Sequence, residues 1–212
     1  MTDCILFDHT TVTQALTDMT TAIADCNTAT TDIYLVGIHS GGAKVADAIQ
    51  QGLEDRGKTV HRGNLDISFY RDDLDTIGPN PEVRPSTLNF DVSAKNIWLV
   101  DDVLYTGRTI RAAMGELFDY GRAASISLAI LLDRGGRELP ISANCIGLTH
   151  PAPGNCTIEL ITDEQVCDGK KTSNGWHIDQ RQIDQRRIDQ KQVDQRQIDQ
   201  RQIDQRKIEQ RR

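Results

Sequence analysis

Asp101 and Asp102 are adjacent carboxylates, and Thr106-Gly107-Arg108-Thr109 follows them within one short loop. Ile97-Trp98-Leu99-Val100, just ahead, is an apolar run that suits a buried strand. Ile110 to Phe118, just behind, has a helical pattern of apolar positions. The order is strand, acidic strand end, small-residue loop, helix. In an open parallel sheet, ligands bind beyond the carboxyl ends of strands. The orphan N–H groups and positive dipole end of the next helix attract an anion there, phosphate above all. Gly107 lets the backbone turn and come close to a ligand. Thr106 and Thr109 add hydroxyl donors, and Asp101 and Asp102 can accept from a sugar diol. A phosphate loop beside diol-binding carboxylates describes a ribose 5-phosphate.

A second unit of the same kind lies upstream. Ile33 to Ile38 reads as a buried strand and His39-Ser40-Gly41-Gly42 as its loop. Val45, Ala46, Ile49 and Leu53 mark one face of the helix that follows. Gly41 and Gly42 can turn backbone N–H groups toward an anion. A third group of charges, Arg71-Asp72-Asp73, follows the alternating strand candidate Gly63–Tyr70 and opens a stretch to Pro85 without periodicity. A stretch of that kind inside a compact domain reads as a closing loop or as disorder. Arg71 could pair with a phosphate, and Asp72 or Asp73 could hold Mg²⁺ through water. Ser125 to Leu132 is a continuous buried-strand pattern that ends in Asp133-Arg134-Gly135-Gly136-Arg137-Glu138-Leu139-Pro140.

The run Ile97-Trp98-Leu99-Val100-Asp101-Asp102-Val103-Leu104-Tyr105-Thr106-Gly107-Arg108-Thr109 closely resembles the phosphoribosyl diphosphate (PRPP) binding motif of type I phosphoribosyltransferases. Its Val103–Thr109 half is similar to one branch, the bifunctional pyr operon regulator/uracil phosphoribosyltransferase family. The segments Asp66–Leu74 and Asp133–Pro140 resemble that branch too, and the likeness covers roughly residues 4–165. It implies an α/β fold with a central, mostly parallel sheet flanked by helices and a small hood. It implies the reaction of uracil with PRPP to give UMP and diphosphate, in pyrimidine salvage, with Mg²⁺ as cofactor. Asp101, Asp102 and Arg71 would be the catalytic set, and His39, Ser40, Gly41 and Gly42 the pyrophosphate loop. Members often carry a basic residue and an arginine in that loop. This chain has His39 and Gly41, so backbone amides, Ser40 and Lys44 would have to serve. Asp133, Arg134 and Arg137 would belong to the hood over the base, where Arg137 could stack on the ligand or pair with it. Purine enzymes usually place an acid where Tyr105 stands, which favours a pyrimidine. A phosphoribosyltransferase acting on another base stays open.

The alternative within the same resemblance is an RNA-binding attenuator that senses UMP or PRPP. RNA binding needs a basic face. The first cation in the chain is Lys44, and the N-terminal helix offers Asp18 and Asp25 instead, so RNA is disfavoured. The net charge is −7 over 212 residues; the last 35 contribute +3, which leaves −10 for the body. Such a body offers little general attraction to nucleic acid; RNA stays possible but disfavoured, and DNA is not expected. No apolar run reaches the about 18 residues a membrane helix needs. The N-terminus has no secretory pattern, and the five scattered cysteines read as reduced thiols, so a cytoplasmic protein is expected; the resemblance implies a homo-oligomer, dimer or tetramer.

The remaining elements must position these groups. Val12, Leu16, Met19 and Ile23 predict an amphipathic helix over 8–26 with Asp8, Thr10 or Thr11 as cap. Leu88–Val92, Ala143–Gly147 and Thr157–Thr162 read as short strands. The domain is expected to span 1–168, with a linker over 169–177. Residues 178–212 are seven pentads of the type Ile-Asp-Gln-Arg-Gln. An aliphatic residue every five positions advances about 140° on a helix and alternates faces on a strand, so the pentads build no apolar face of their own. They read as a solvated tail, disordered or transiently helical.

Overall fold

The computed structural model describes residues 4–28, 32–67, 86–154, 156–167 and 170–182. Its elements are β1 (Cys4–Phe7), α1 (His9–Cys26), β2 (Asp32–Ile38), α2 (Gly41–Glu54), β3 (Thr59–Leu65), β4 (Thr87–Leu88), β5 (Asn96–Leu104), α3 (Arg108–Asp119), β6 (Ser125–Asp133), β7 (Cys145–Thr149), β8 (Cys156–Cys167) and β9 (Lys170–Gln182). Six strands form one sheet in the order β4-β3-β2-β5-β6-β7. All its pairings are parallel except the edge pair β3–β4. This is the mostly parallel α/β sheet flanked by helices that the resemblance implies.

Period-two alternation divides the core. Ile33, Leu35, Trp98, Val100, Ala129 and Leu131 face α1 and α2. Val36, Ile38, Ile97, Leu99, Leu128 and Ile130 face α3 and its buried Ile110, Ala113 and Leu117. α1 starts as predicted: the Asp8 side chain accepts from the Thr11 amide at 2.9 Å. Between β2 and β5 the strand order reverses, because β3 lies on one side of β2 and β5 on the other. The loops leaving β2 and β5 therefore meet at the switch point, where ligands bind in such sheets.

Three boundaries differ from the sequence reading. The strand expected over Gly63–Tyr70 lies earlier, at Thr59–Leu65, because its register follows β2 from Asp32↔Thr59 to Ile38↔Leu65. Of the next expected strand, Leu88–Val92, only Leu88 pairs with β3, together with Thr87 just ahead of it. β5 runs through both aspartates to Leu104 instead of ending at them.

The tail reading changes more. The expected linker and the first pentad together form β9, the middle strand of a three-stranded antiparallel sheet β1-β9-β8. Ile178 is 0% exposed, Trp176 is buried beside it, and the Trp176 amide donates to His9 Nδ1 at 3.0 Å. Seven pentads cannot build a core by themselves, but one pentad need place only one aliphatic side chain. Ile178 stands two residues after Trp176 and so shares its face of the strand. Residues 183–212, the other six pentads, lie outside the described residues. Among the described residues, no helix is long and apolar enough to cross a membrane.

These contacts set a boundary that can be tested. A chain ending at Gln182 should melt with the full-length protein, and one ending at Gly169 should lose cooperative folding. Ile178→Ala should cost about 3 kcal/mol in urea denaturation.

Candidate functional site

The two strand–loop–helix units meet through a contact that only glycine allows. A Cβ on Gly41 would overlap the Asp102 carboxylate, and one on Gly42 would sit 2.5 Å from the Val100 carbonyl oxygen and 2.7 Å from Asp101 Cα. The start of α2 thus lies directly against the acidic pair on β5. The His39–Ser40 peptide in this loop is cis, and the His39 amide donates to the Leu65 carbonyl at 2.9 Å, tying the loop to the end of β3.

Asp101 is 5% exposed. Burial, and then the neighbouring Asp102 charge, push its carboxyl well above the usual carboxylate range. Its Oδ1 accepts from the Asp102 amide at 3.0 Å, and Asp102 Oδ1 accepts from the Val103 amide at 2.9 Å. Asp102 also lines a pocket of about 380 Å³ with Ser40, Gly41 and Lys44 on one side and Ile158–Leu160 of β8 on the other. Lys44 Nζ donates to Thr162 Oγ1 at 2.5 Å. The part played by β8, including Glu159 on the pocket wall, was not readable in the sequence. It joins residues more than a hundred positions apart, and the strand itself reads only as a closing strand.

The other half of the site is the loop into α3. Gly107 caps that helix with φ +91°, a left-handed conformation that L side chains rarely adopt. Thr106 Oγ1 accepts from the Arg108 amide at 3.3 Å, and Arg108 Nε meets Glu138 Oε2 at 2.8 Å. The structure therefore brings together Asp101, Asp102, the His39–Gly42 loop and the Thr106–Thr109 loop. Arg71, Asp72 and Asp73 lie outside the described residues.

The hood residues take a different part from the one expected. The Arg137 guanidinium is engaged by the protein itself. It donates to the carbonyls of Tyr105 (2.8 Å), Leu104 (3.2 Å) and Ile141 (3.1 Å) and pairs with Asp133 Oδ2 at 2.6 Å. The amides of Glu138 and Leu139 both donate to the Thr106 carbonyl at 3.0 Å. Arg134 is 5% exposed, donates to the Cys156 and Pro153 carbonyls, and stacks 4.1 Å from the Tyr105 ring centroid. Both arginines are clamps that hold the Asp133–Ile141 segment and residues 104–106 as one body. A planar guanidinium satisfies several backbone carbonyls at once in a fixed fork that a lysine ammonium does not offer.

The burial of Asp101 has a consequence for stability. Its folded pKa is raised, so above the ordinary value near 3.8 the unfolded chain releases this proton first. Rising pH then favours unfolding until the folded carboxyl also ionises. Asp101→Asn should be the more stable protein at pH 8, by about 1 kcal/mol, with the gap closing toward pH 4. Urea titrations across that range would check it.

The description "phosphoribosyl transferase domain" belongs to a family model that matches residues 8–157. The chain is 46% identical over 155 residues to the bifunctional protein PyrR of Thermus aquaticus, covering 73% of this chain and 84% of that one. It is 53% identical over 139 residues to the bifunctional protein PyrR of Nitrosococcus oceani, covering 60% and 78%. Among solved structures, the hypoxanthine phosphoribosyltransferase of Trypanosoma cruzi superposes with a TM-score of 0.56 at 21% identity, over 69% of this chain and 81% of that one. The hypoxanthine phosphoribosyltransferase of Staphylococcus aureus gives 0.56 at 18% identity, over 73% and 80%. At such identities the structural likeness speaks for the fold alone.

Proposed function

Because this chain belongs to the phosphoribosyltransferase family, in the branch of the bifunctional PyrR proteins, we propose that it transfers the phosphoribosyl group of PRPP to uracil, yielding UMP and diphosphate. The observation that carries this is the abutment of the Gly41–Gly42 loop on Asp101 and Asp102, beside the Thr106–Thr109 helix start. That arrangement offers one anion site on each side of a diol-binding pair.

In this reading the Thr106–Thr109 loop binds the 5-phosphate and the aspartates fix the ribose hydroxyls. Backbone amides at Gly41 and Gly42, with Ser40 and Lys44, receive the diphosphate. The C1–oxygen bond to diphosphate breaks as a uracil ring nitrogen bonds to C1, and the proton on that nitrogen leaves to solvent. Holding the reactants in line and stabilising the departing charge supply most of the rate. Asp102 and Glu159 both line this pocket, and Mg²⁺ favours one or two carboxylates plus substrate oxygens. Asp102 would hold it, and it would supply charge neutralisation at the diphosphate. Tyr105, held by Arg134 instead of being an acid, supports a pyrimidine base. The arginine clamps leave the backbone of the hood to read uracil.

The relatives' name also carries a second activity, and regulation through RNA is the competing reading. The exposed positions of α1 include Gln14, Asp18 and Asp25 and no cation, which favours the enzyme. A homo-oligomer in the cytoplasm fits the family.

Full-length protein with Mg²⁺, PRPP and labelled uracil, hypoxanthine or orotate tests the reading. UMP should form from uracil at least tenfold faster than product from the other bases, and faster turnover of hypoxanthine would overturn the base assignment. Asp102→Asn should lower kcat/KM about a hundredfold with the melting temperature retained.

A further inference from the structure

Glu116 lies on the buried face of α3 and is 6% exposed, yet none of the chemistry above uses it. Its Oε1 accepts the Ser86 hydroxyl proton. Ser86 Oγ accepts in turn from the Asp66 amide at 2.8 Å. Asp66 directly follows Leu65, whose carbonyl accepts from the His39 amide at 2.9 Å. One chain of hydrogen bonds and one peptide therefore run from α3 to the first residue of the His39–Gly42 loop. Glu116 Oε2 is buried with no hydrogen-bond partner among the described residues. Burial holds the Glu116 carboxyl above its ordinary range against the Ser86 hydrogen bond, and the charges of Asp66 and Asp119 add to the effect. A carboxylate here works against burial; an apolar residue would suit this face of α3 better. Its evident task is geometric: by taking the Ser86 proton it fixes the hydroxyl rotor with a lone pair toward the Asp66 amide.

Building on the phosphoribosyltransferase reading, we infer that Glu116 is a positioning residue: through Ser86 and the Asp66 backbone it fixes the His39–Gly42 loop relative to α3, and so sets the diphosphate end of the site without touching substrate. The helix that carries the 5-phosphate loop at its N-terminus thereby also sets the height of the second anion loop. The two phosphate-binding ends are held at one spacing.

The two ends can be read separately with two probes. Diphosphate with Mg²⁺ reports the His39–Gly42 loop, and UMP reports the Thr106–Thr109 loop. Calorimetric titration of full-length protein should give Glu116→Ala a diphosphate affinity about tenfold weaker and a UMP affinity within about twofold of wild type. Glu116→Gln keeps an acceptor for Ser86 and should restore diphosphate binding. Ser86→Ala should reproduce the Glu116→Ala profile, and it carries the test if Glu116→Ala does not fold. The KM for PRPP should rise by the same factor while kcat moves less. Equal weakening of both probes, or a lower melting temperature with both affinities intact, would overturn the inference and leave Glu116 a structural residue only. Wild-type protein that binds neither probe would sink the enzyme reading itself, and this inference with it.

Discussion

Everything in the site depends on how closely the backbone at Gly41 and Gly42 can approach the Asp101–Asp102 pair. Side chains at those positions would force α2 away from β5, because their Cβ atoms would overlap the Asp102 carboxylate and crowd the β5 backbone at Val100 and Asp101. Closeness carries an electrostatic cost. Two carboxylates sit next to each other, one of them buried, and the nearest compensation is the backbone itself. Such a site is strained toward anything that brings hydroxyl donors or cations, which is how pre-organised binding sites hold on to ligands.

Around this contact the scaffold is rigid where it matters. The loop into α3 is clipped to the Asp133–Ile141 segment by Arg137 and by the amides of Glu138 and Leu139. Arg134 fixes Tyr105 and reaches across to Pro153 and Cys156. Ligand-facing loops are commonly the least stable parts of a domain. Here the loop into α3 is tied by hydrogen bonds from the charged Arg137 to the Leu104 and Tyr105 carbonyls, among the stronger kinds, and by neutral backbone amides to Thr106.

The sequence was most legible where the signal was local. Each strand–loop–helix unit compresses its pattern into about twenty consecutive residues, so β2–α2, β5–α3 and their loops could be read before any fold was known. The helix cap at Asp8 and the parallel sheet were equally open to reading. What escaped depends on partners distant in sequence. Arg134 and Arg137 are chemically able to bind a ligand, and only the carbonyls around them reveal that they hold the protein. Glu116 reads as one more surface acid on a helix until Ser86 and Asp66 are placed against it. Ile178 looks like a member of a featureless repeat, because periodicity describes the repeat as a whole and says nothing about one copy docking beside Trp176.

The last of these has a bearing on how the chain folds. β9 joins β1, and its Trp176 bonds to His9 across 167 positions of sequence. Among the described strands, the first to be made therefore waits, unpaired, for the last. Closing so long a loop is slow, and the rate falls as contacts grow less local. Until it closes, Val12, Leu16 and Met19 of α1 lack part of their cover, and β1 presents an open edge of the kind on which chains aggregate. The stretch from Lys170 to Gln182 thus controls how long the nascent protein stays vulnerable, a matter of timing in which none of the site residues takes part.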